Sequence, residues 1–158
     1  MNRKINKIGK NSGFTLVELI LVAGIMSVTI VGLLNLFIFT STGAELAGSK
    51  TRAIAEAQTV LEEIHAYNFD DIVTDYASGG AVGDDFDLTY LPGKGTIYID
   101  SSNVDLLEVH VTICWRDKTG RILGEDTDLD GVLDAGEDVN GNNEIDSIVR
   151  LSTMVARR

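Results

Sequence analysis

Gly13-Phe14-Thr15-Leu16-Val17-Glu18-Leu19-Ile20-Leu21-Val22 is the stretch on which the fold turns. Four cations precede it, Arg3, Lys4, Lys7 and Lys10, with no acid among them. Beyond Glu18, no charged residue occurs from Leu19 to Ala44, a run of 26 positions. At about 1.5 Å of rise per residue, a helix of that length reaches about 39 Å, more than the roughly 30 Å of a bilayer's hydrocarbon core. A secretory signal has a shorter apolar core and carries its small-residue cleavage site after that core. Here the small residue, Gly13, stands before it. Cleavage there would remove the charged leader and leave the apolar helix as the new N-terminus. Glu18 is an ionisable group inside a membrane helix, which costs about 2.5–3.5 kcal/mol on insertion scales and so calls for a partner.

Lys10, Gly13 and Phe14-Thr15-Leu16-Val17-Glu18-Leu19, running into an apolar helix, resemble the start of the type IV prepilin family, which includes type IV pilins and the pseudopilins of type II secretion. The likeness covers residues 7 to 65. It implies that a membrane-embedded prepilin peptidase cleaves after Gly13 and methylates the exposed amine of Phe14. It also implies that Glu18 meets that amine on a neighbouring subunit during filament assembly. A second, shorter likeness lies near the C-terminus, where Val111–Asp117 and Ile148–Val155 are similar to the closing hairpin of minor pseudopilins and a related minor pilin. Many major pilins carry a proline partway down the membrane helix. Asn35 stands at that place, and the chain's one proline is Pro92, which favours a low-copy minor subunit.

The resemblance thus implies a structural subunit of a type IV pilus or type II secretion pseudopilus, not an enzyme. Its partners would be the prepilin peptidase, other pilin or pseudopilin subunits, the inner-membrane assembly platform and membrane lipid. The expected place is the bacterial inner membrane, single-pass with a cytoplasmic N-terminus, and then the pilus or pseudopilus. A rival reading of the same segments is a single-span membrane protein whose ectodomain adheres or binds through calcium and which never polymerises.

Charge divides the 158 residues unevenly. The net charge is −11, and removal of residues 1–13, with four cations and no acid, makes it −15. Basic residues ahead of the membrane helix and acids after it place the leader in the cytoplasm and the remainder on the far side. The domains read as a leader at 1–13, a transmembrane and assembly helix at 14–44, and a soluble domain at 45–158. So acidic a domain offers no cation patch for phosphates, and no nucleic acid is expected as partner. Cys114 is the only cysteine and excludes an intrachain disulfide. It shares a strand face with His110, but four residues apart is about 13 Å along a strand. A nucleophile needs its base within hydrogen-bond reach, so a packed thiol is expected.

Ala53, Ile54, Ala57, Val60, Leu61 and Ile64 form one apolar helical stripe, with Lys50, Arg52, Glu56, Glu62 and Glu63 largely opposite. One helix from Phe14 to Ala66 is therefore predicted, lipid-facing in its first half and amphipathic in its second. Thr96–Asp100, Leu106–Arg116 and Ser147–Val155 alternate as strands, with Val109, Val111, Ile113 and Trp115 on one face. Between helix and sheet, Tyr67 to Pro92 reads as a loop anchored by Phe69, Ile72, Phe86 and Leu88. The fold class is α+β: a long N-terminal helix packed on a small antiparallel β-sheet.

Asp126-Thr127-Asp128-Leu129-Asp130-Gly131, closed by Glu137, matches the twelve-residue calcium loop D-x-D-x-D-G-x5-E at each defined position. Calcium takes six to eight oxygens. The carboxylates of Asp126, Asp128 and Asp130, the carbonyl of Val132, Asp134 direct or through water, and both oxygens of Glu137 would supply them. A weaker copy follows, with Asp138, Asn140, Asn142 and Asp146 at positions one, three, five and nine and the carbonyl of Glu144 at seven. Asn143 replaces its glycine and Val149 its closing glutamate. The expectation is an EF-hand-like loop at 126–146 inside the closing β-hairpin, holding one Ca2+ at the first site with a second, weaker site behind it.

Overall fold

A computed structural model of the chain describes residues 13–157, so the basic leader that precedes Gly13 lies outside the described residues. Helix α1 runs Leu16–Ala66. It starts two residues later than the apolar run predicts because Thr15 caps it. The Thr15 hydroxyl accepts the Glu18 amide N–H at 3.3 Å, satisfying one of the donors that a helix start leaves unpaired. Glu18 itself lies in the first turn, where a negative charge suits the helix dipole.

Contacts divide the chain into two compact units, one up to Gly43 and one from Ala44 on. In the first unit the large apolar side chains from Phe14 to Phe39 are exposed. Four of its hydroxyl groups bond within the helix: Ser27, Thr29, Thr40 and Thr42 donate to the carbonyls of Ala23, Ile25, Leu36 and Ile38. A helix whose backbone and hydroxyls bond within itself suits a medium without water. Among the described residues, α1 is the one helix long and apolar enough to cross a membrane.

The second unit is built on the amphipathic part of α1. Ala53, Ala57, Leu61 and Ile64 are buried at i, i+4, i+8 and i+11. They form one cluster with Ile97, Val109, Val111, Ile113, Trp115, Val149 and Val155 of the sheet region. The two alanines, fully buried, let the helix backbone come close to the sheet. The remaining elements are α2 (Phe69–Asp75), β1 (Asp85–Asp87), β2 (Gly93–Asn103), β3 (Leu106–Arg116), β4 (Ile122–Leu123) and β5 (Arg150–Ala156). The antiparallel sheet centres on β3, which pairs with β2 along one edge. Its other edge is shared by β5, from Leu106 to Thr112, and β4, at Trp115 and Arg116. β1 extends the sheet beyond β2. The chain is thus α+β.

Two features differ from the sequence reading. The segment from Tyr67 to Pro92 is not all loop. It contains α2, held by buried Ile72, and β1, whose Phe86 ring fills the space left by Gly95. The last strand begins at Arg150 rather than Ser147, because Ser147 and Ile148 still belong to the acidic connector. The sheet face opposite the helix is covered: Thr96, Thr112 and Cys114 on that face are buried. The connector lies on it, with Thr96 Oγ1 donating to the Gly131 carbonyl at 3.4 Å and the Tyr98 hydroxyl accepting the Ile145 N–H at 2.7 Å.

Because Trp115 is the single tryptophan and fully buried, its fluorescence reports the integrity of this unit. Ile113→Ala opens a cavity between sheet and helix and should cost about 2–5 kcal/mol. The check is a denaturant titration of the full chain in detergent micelles, followed at Trp115. A midpoint unchanged from wild type would mean that this contact does not hold the unit together.

Candidate metal centre

The connector between β4 and β5 carries nine acids from Glu125 to Asp146 and no base. Its first half wraps around Asp126, which is buried. The Asp126 carboxylate accepts three backbone N–H groups: Leu129 at 2.7 Å and Asp130 at 3.3 Å on Oδ1, and Gly131 at 3.0 Å on Oδ2. The turn needs left-handed backbone at Leu129 (φ 65) and Gly131 (φ 86). Gly131 is required twice over, since a Cβ there would stand 2.8 Å from the Asp85 side chain. Asp130 Oδ1 accepts the Val132 N–H at 2.7 Å. The result brings one carboxylate oxygen each from Asp126, Asp128 and Asp130 within 4.8 Å of one another. Three carboxylate oxygens converging at a glycine-assisted turn are a group that could hold a metal ion.

Glu137 is also buried and folds back toward the start of the loop. Its Oε1 accepts the Thr127 N–H at 2.6 Å and the Thr127 hydroxyl at 2.7 Å, and its Oε2 accepts the Asp134 N–H at 3.0 Å. Thus Glu137 staples positions two, nine and twelve together, while Asp126, Asp128 and Asp130 form the acidic group. Val132 is exposed, as is Asp134.

The second half repeats the first. Asp138 accepts N–H groups from Gly141 at 2.6 Å, Asn142 at 3.0 Å and Asn143 at 3.0 Å, the same three positions that Asp126 binds. Asn142 Oδ1 accepts the Glu144 N–H as Asp130 does that of Val132. Left-handed backbone recurs at Gly141 (φ 77) and Asn143 (φ 60), the places of Leu129 and Gly131. Asparagine tolerates that region, so the missing glycine is no obstacle. Asn140 and Asn142 donate their amide groups to Asp146 Oδ2 at 2.6 and 2.9 Å. Glu125 joins the two halves, accepting the Val139 N–H at 3.3 Å and the Asp146 N–H at 3.0 Å.

Electrostatics differ around the two buried acids of the first loop. Burial pushes Asp126 above the ordinary aspartate value, against its backbone hydrogen bonds, and nearby Glu137 adds to the rise. The Thr127 hydroxyl, with the Asp134 and Thr127 amides, holds Glu137 below its ordinary value. At Asp146 burial works against ionisation, but the Arg150 guanidinium and the Asn140 amide outweigh it, and the net shift is downward.

Two roles lay beyond the sequence patterns. Thr127 occupies an undefined position of the loop motif, and Arg150, which binds Glu144 and Asp146, falls one residue past the second loop's twelfth position. Thr15 was legible, since Thr15-x-x-Glu18 has the spacing of a capping box. Gly13, Phe14 and Glu18 are exposed. Cys114 is buried beside the connector, and burial raises its thiol to about 11. His110 Nδ1 pairs with the Ser152 hydroxyl at 2.7 Å. No protein-family model, curated protein or solved structure matches the chain.

The opposed shifts set the sign of a pH effect. Glu137, held low, stabilises the fold above the ordinary carboxylate range, and that contribution is lost as pH falls through its folded value. Asp126, held high, binds its proton more readily when folded, so its ionisation weakens the metal-free fold as pH rises. A cation on the loop removes that penalty. The stabilisation gained on adding calcium should therefore grow as pH rises through the carboxylate range, reaching about 2.7 kcal/mol at a hundredfold excess over Kd. Melting of the full chain in micelles, with calcium and with chelator at several pH values, measures it. Asp128→Ala should remove most of the gain, and magnesium, which demands a tighter octahedron, should substitute poorly. Equal melting with calcium and with chelator at neutral pH would reduce the segment to a solvated acidic loop.

Proposed function

We propose that this chain is a membrane-anchored filament subunit of the type IV prepilin kind, most like a minor pilin or minor pseudopilin, with an acidic domain stiffened by one calcium ion. The observation that carries the reading is the junction at Gly13-Phe14. It combines a glycine, an aromatic residue, a capped helix start and Glu18, all at the head of an apolar helix. In the isolated chain that helix exposes Leu19, Ile25, Leu33, Phe37 and Phe39, each at least 59 % accessible. An all-round apolar helix needs lipid or neighbouring helices, and a filament core offers the second after a membrane has offered the first. Glu18 has no side-chain partner among the described hydrogen bonds and ion pairs of the chain. A neighbouring subunit's N-terminal amine would supply the positive charge it lacks.

On this reading the first half of α1 is stored in a bacterial inner membrane, with the basic leader on the cytoplasmic side and the acidic domain on the other. Prepilin peptidase removes the leader, and the assembly platform draws the helix into a bundle. The role is structural, and no residue is assigned to catalysis. Calcium on Asp126, Asp128 and Asp130, with Glu137 closing the loop, would pin the connector that delivers β5 to β3.

Two outcomes test the proposal. Mass spectrometry of the protein from its native membrane should show a chain beginning at N-methylated Phe14. A mature chain that keeps residues 1–13, or is cut beyond the apolar run, would favour the non-polymerising membrane protein instead. Separately, Glu18→Ala should enter the membrane as well as wild type, since removing a charge lowers the insertion cost, yet join filaments poorly. Equal incorporation of the variant and the wild type into sheared filaments would deny Glu18 its assembly role.

A further inference from the structure

The two halves of the acidic connector share a frame but not a charge balance. Asp126, Asp128, Asp130, Asp134 and Glu137 make no ion pair among the described residues. The second half has a cation of its own. Arg150 places Nη1 2.7 Å from Asp146 Oδ1 and binds Glu144 through Nη2. Its side chain is only 26 % exposed, so the guanidinium is set into the loop rather than waving from it. A planar guanidinium offers a fixed fork of donors, which suits two carboxylates at once. Asp146 gathers Asn140 and Asn142 through its other oxygen, so positions three, five and nine are joined to one another and then to Arg150. At position twelve, where the first loop has Glu137, the second has Val149, buried in the core.

We propose that Arg150 is the resident cation of the second loop, doing there what calcium does in the first, so that the chain binds one calcium ion and not two. This rests on the calcium reading of the first loop and adds the reason for its stoichiometry. The guanidinium bridges Glu144 and Asp146, removes their repulsion, and leaves Asn140 and Asn142 turned toward Asp146. It comes from the first residue of β5, so the same contact that organises the loop fixes the strand's starting point. Half of the connector is thereby ordered at any calcium level.

Equilibrium dialysis of the full chain in detergent micelles at millimolar calcium tests this by counting bound ions. Wild type should hold one, Asp128→Ala none, and Arg150→Gln two. Two ions on wild type, or one retained by Asp128→Ala, would show the second loop taking metal with Arg150 in place and would overturn the proposal. One ion on Arg150→Gln with native Trp115 fluorescence would overturn it as well, since the guanidinium would not be what excludes calcium. No ion on wild type but one on Arg150→Gln would sink the first-loop reading and leave Arg150 its role. Should Arg150→Gln fail to fold, the Asp128→Ala count decides alone, because that substitution leaves the second loop untouched.

Discussion

β5 can join β3 only if nine acids, with no base among them, fold between β4 and the strand that follows. Like charges brought together at loop distances repel strongly wherever water is partly excluded. The connector answers this with backbone N–H groups. Asp126 and Asp138 each take three, Glu125 takes two, and Glu137 takes two with a hydroxyl besides. Such donors stabilise carboxylates without adding a positive residue to the sequence. They also consume the amide groups that an irregular segment would otherwise leave unpaired against the sheet. With Thr96 and Tyr98 anchoring it, the connector becomes the cover of the second sheet face as well as the link to β5.

That dependence explains which parts of the fold were legible in the sequence. The amphipathic stripe of α1 and the alternation of β3 were plain, because their periods follow from backbone geometry and their residues are strongly apolar. Leu106–Arg116 is the same strand in both readings. The face carrying His110, Thr112 and Cys114 looked the more polar of the two, with a packed thiol expected at Cys114. Thr112 and Cys114 are buried because a distant segment folds over them, and no local pattern announces that. α2 and β1 were missed for a related reason: Ile72 and Phe86 are single anchors in Gly- and Asp-rich chain, and only tertiary contact turns them into elements.

The acidic segment was legible to the same limit. The loop motif named Asp126, Asp128 and Asp130, and one carboxylate oxygen of each lies within 4.8 Å of the others. It placed Glu137 as the closing donor with both oxygens, and in the structure those oxygens accept hydrogen bonds from Thr127 and Asp134. Those are contacts to a hydroxyl and to main chain. A twelve-position pattern also ends at Val149, so Arg150 lay outside its frame. The weak copy looked like a degraded metal site, although its asparagines and its arginine form a complete set of donors and acceptors.

The two units of the chain meet opposite physical demands. In the first, the large apolar side chains are exposed, and the hydroxyls of Ser27, Thr29, Thr40 and Thr42 bond to their own helix. In the second, the apolar stripe of the same helix is fully used by the sheet, and Lys118 reaches Glu45 at 2.7 Å close to where that unit begins. Packing within the chain thus buries the apolar stripe of the second unit, while the apolar surface of the first stays exposed. On the filament reading, this is why the chain can be stored before it is assembled. The apolar half of α1 and the carboxylate of Glu18 are exposed, and on that reading a neighbouring subunit would cover both.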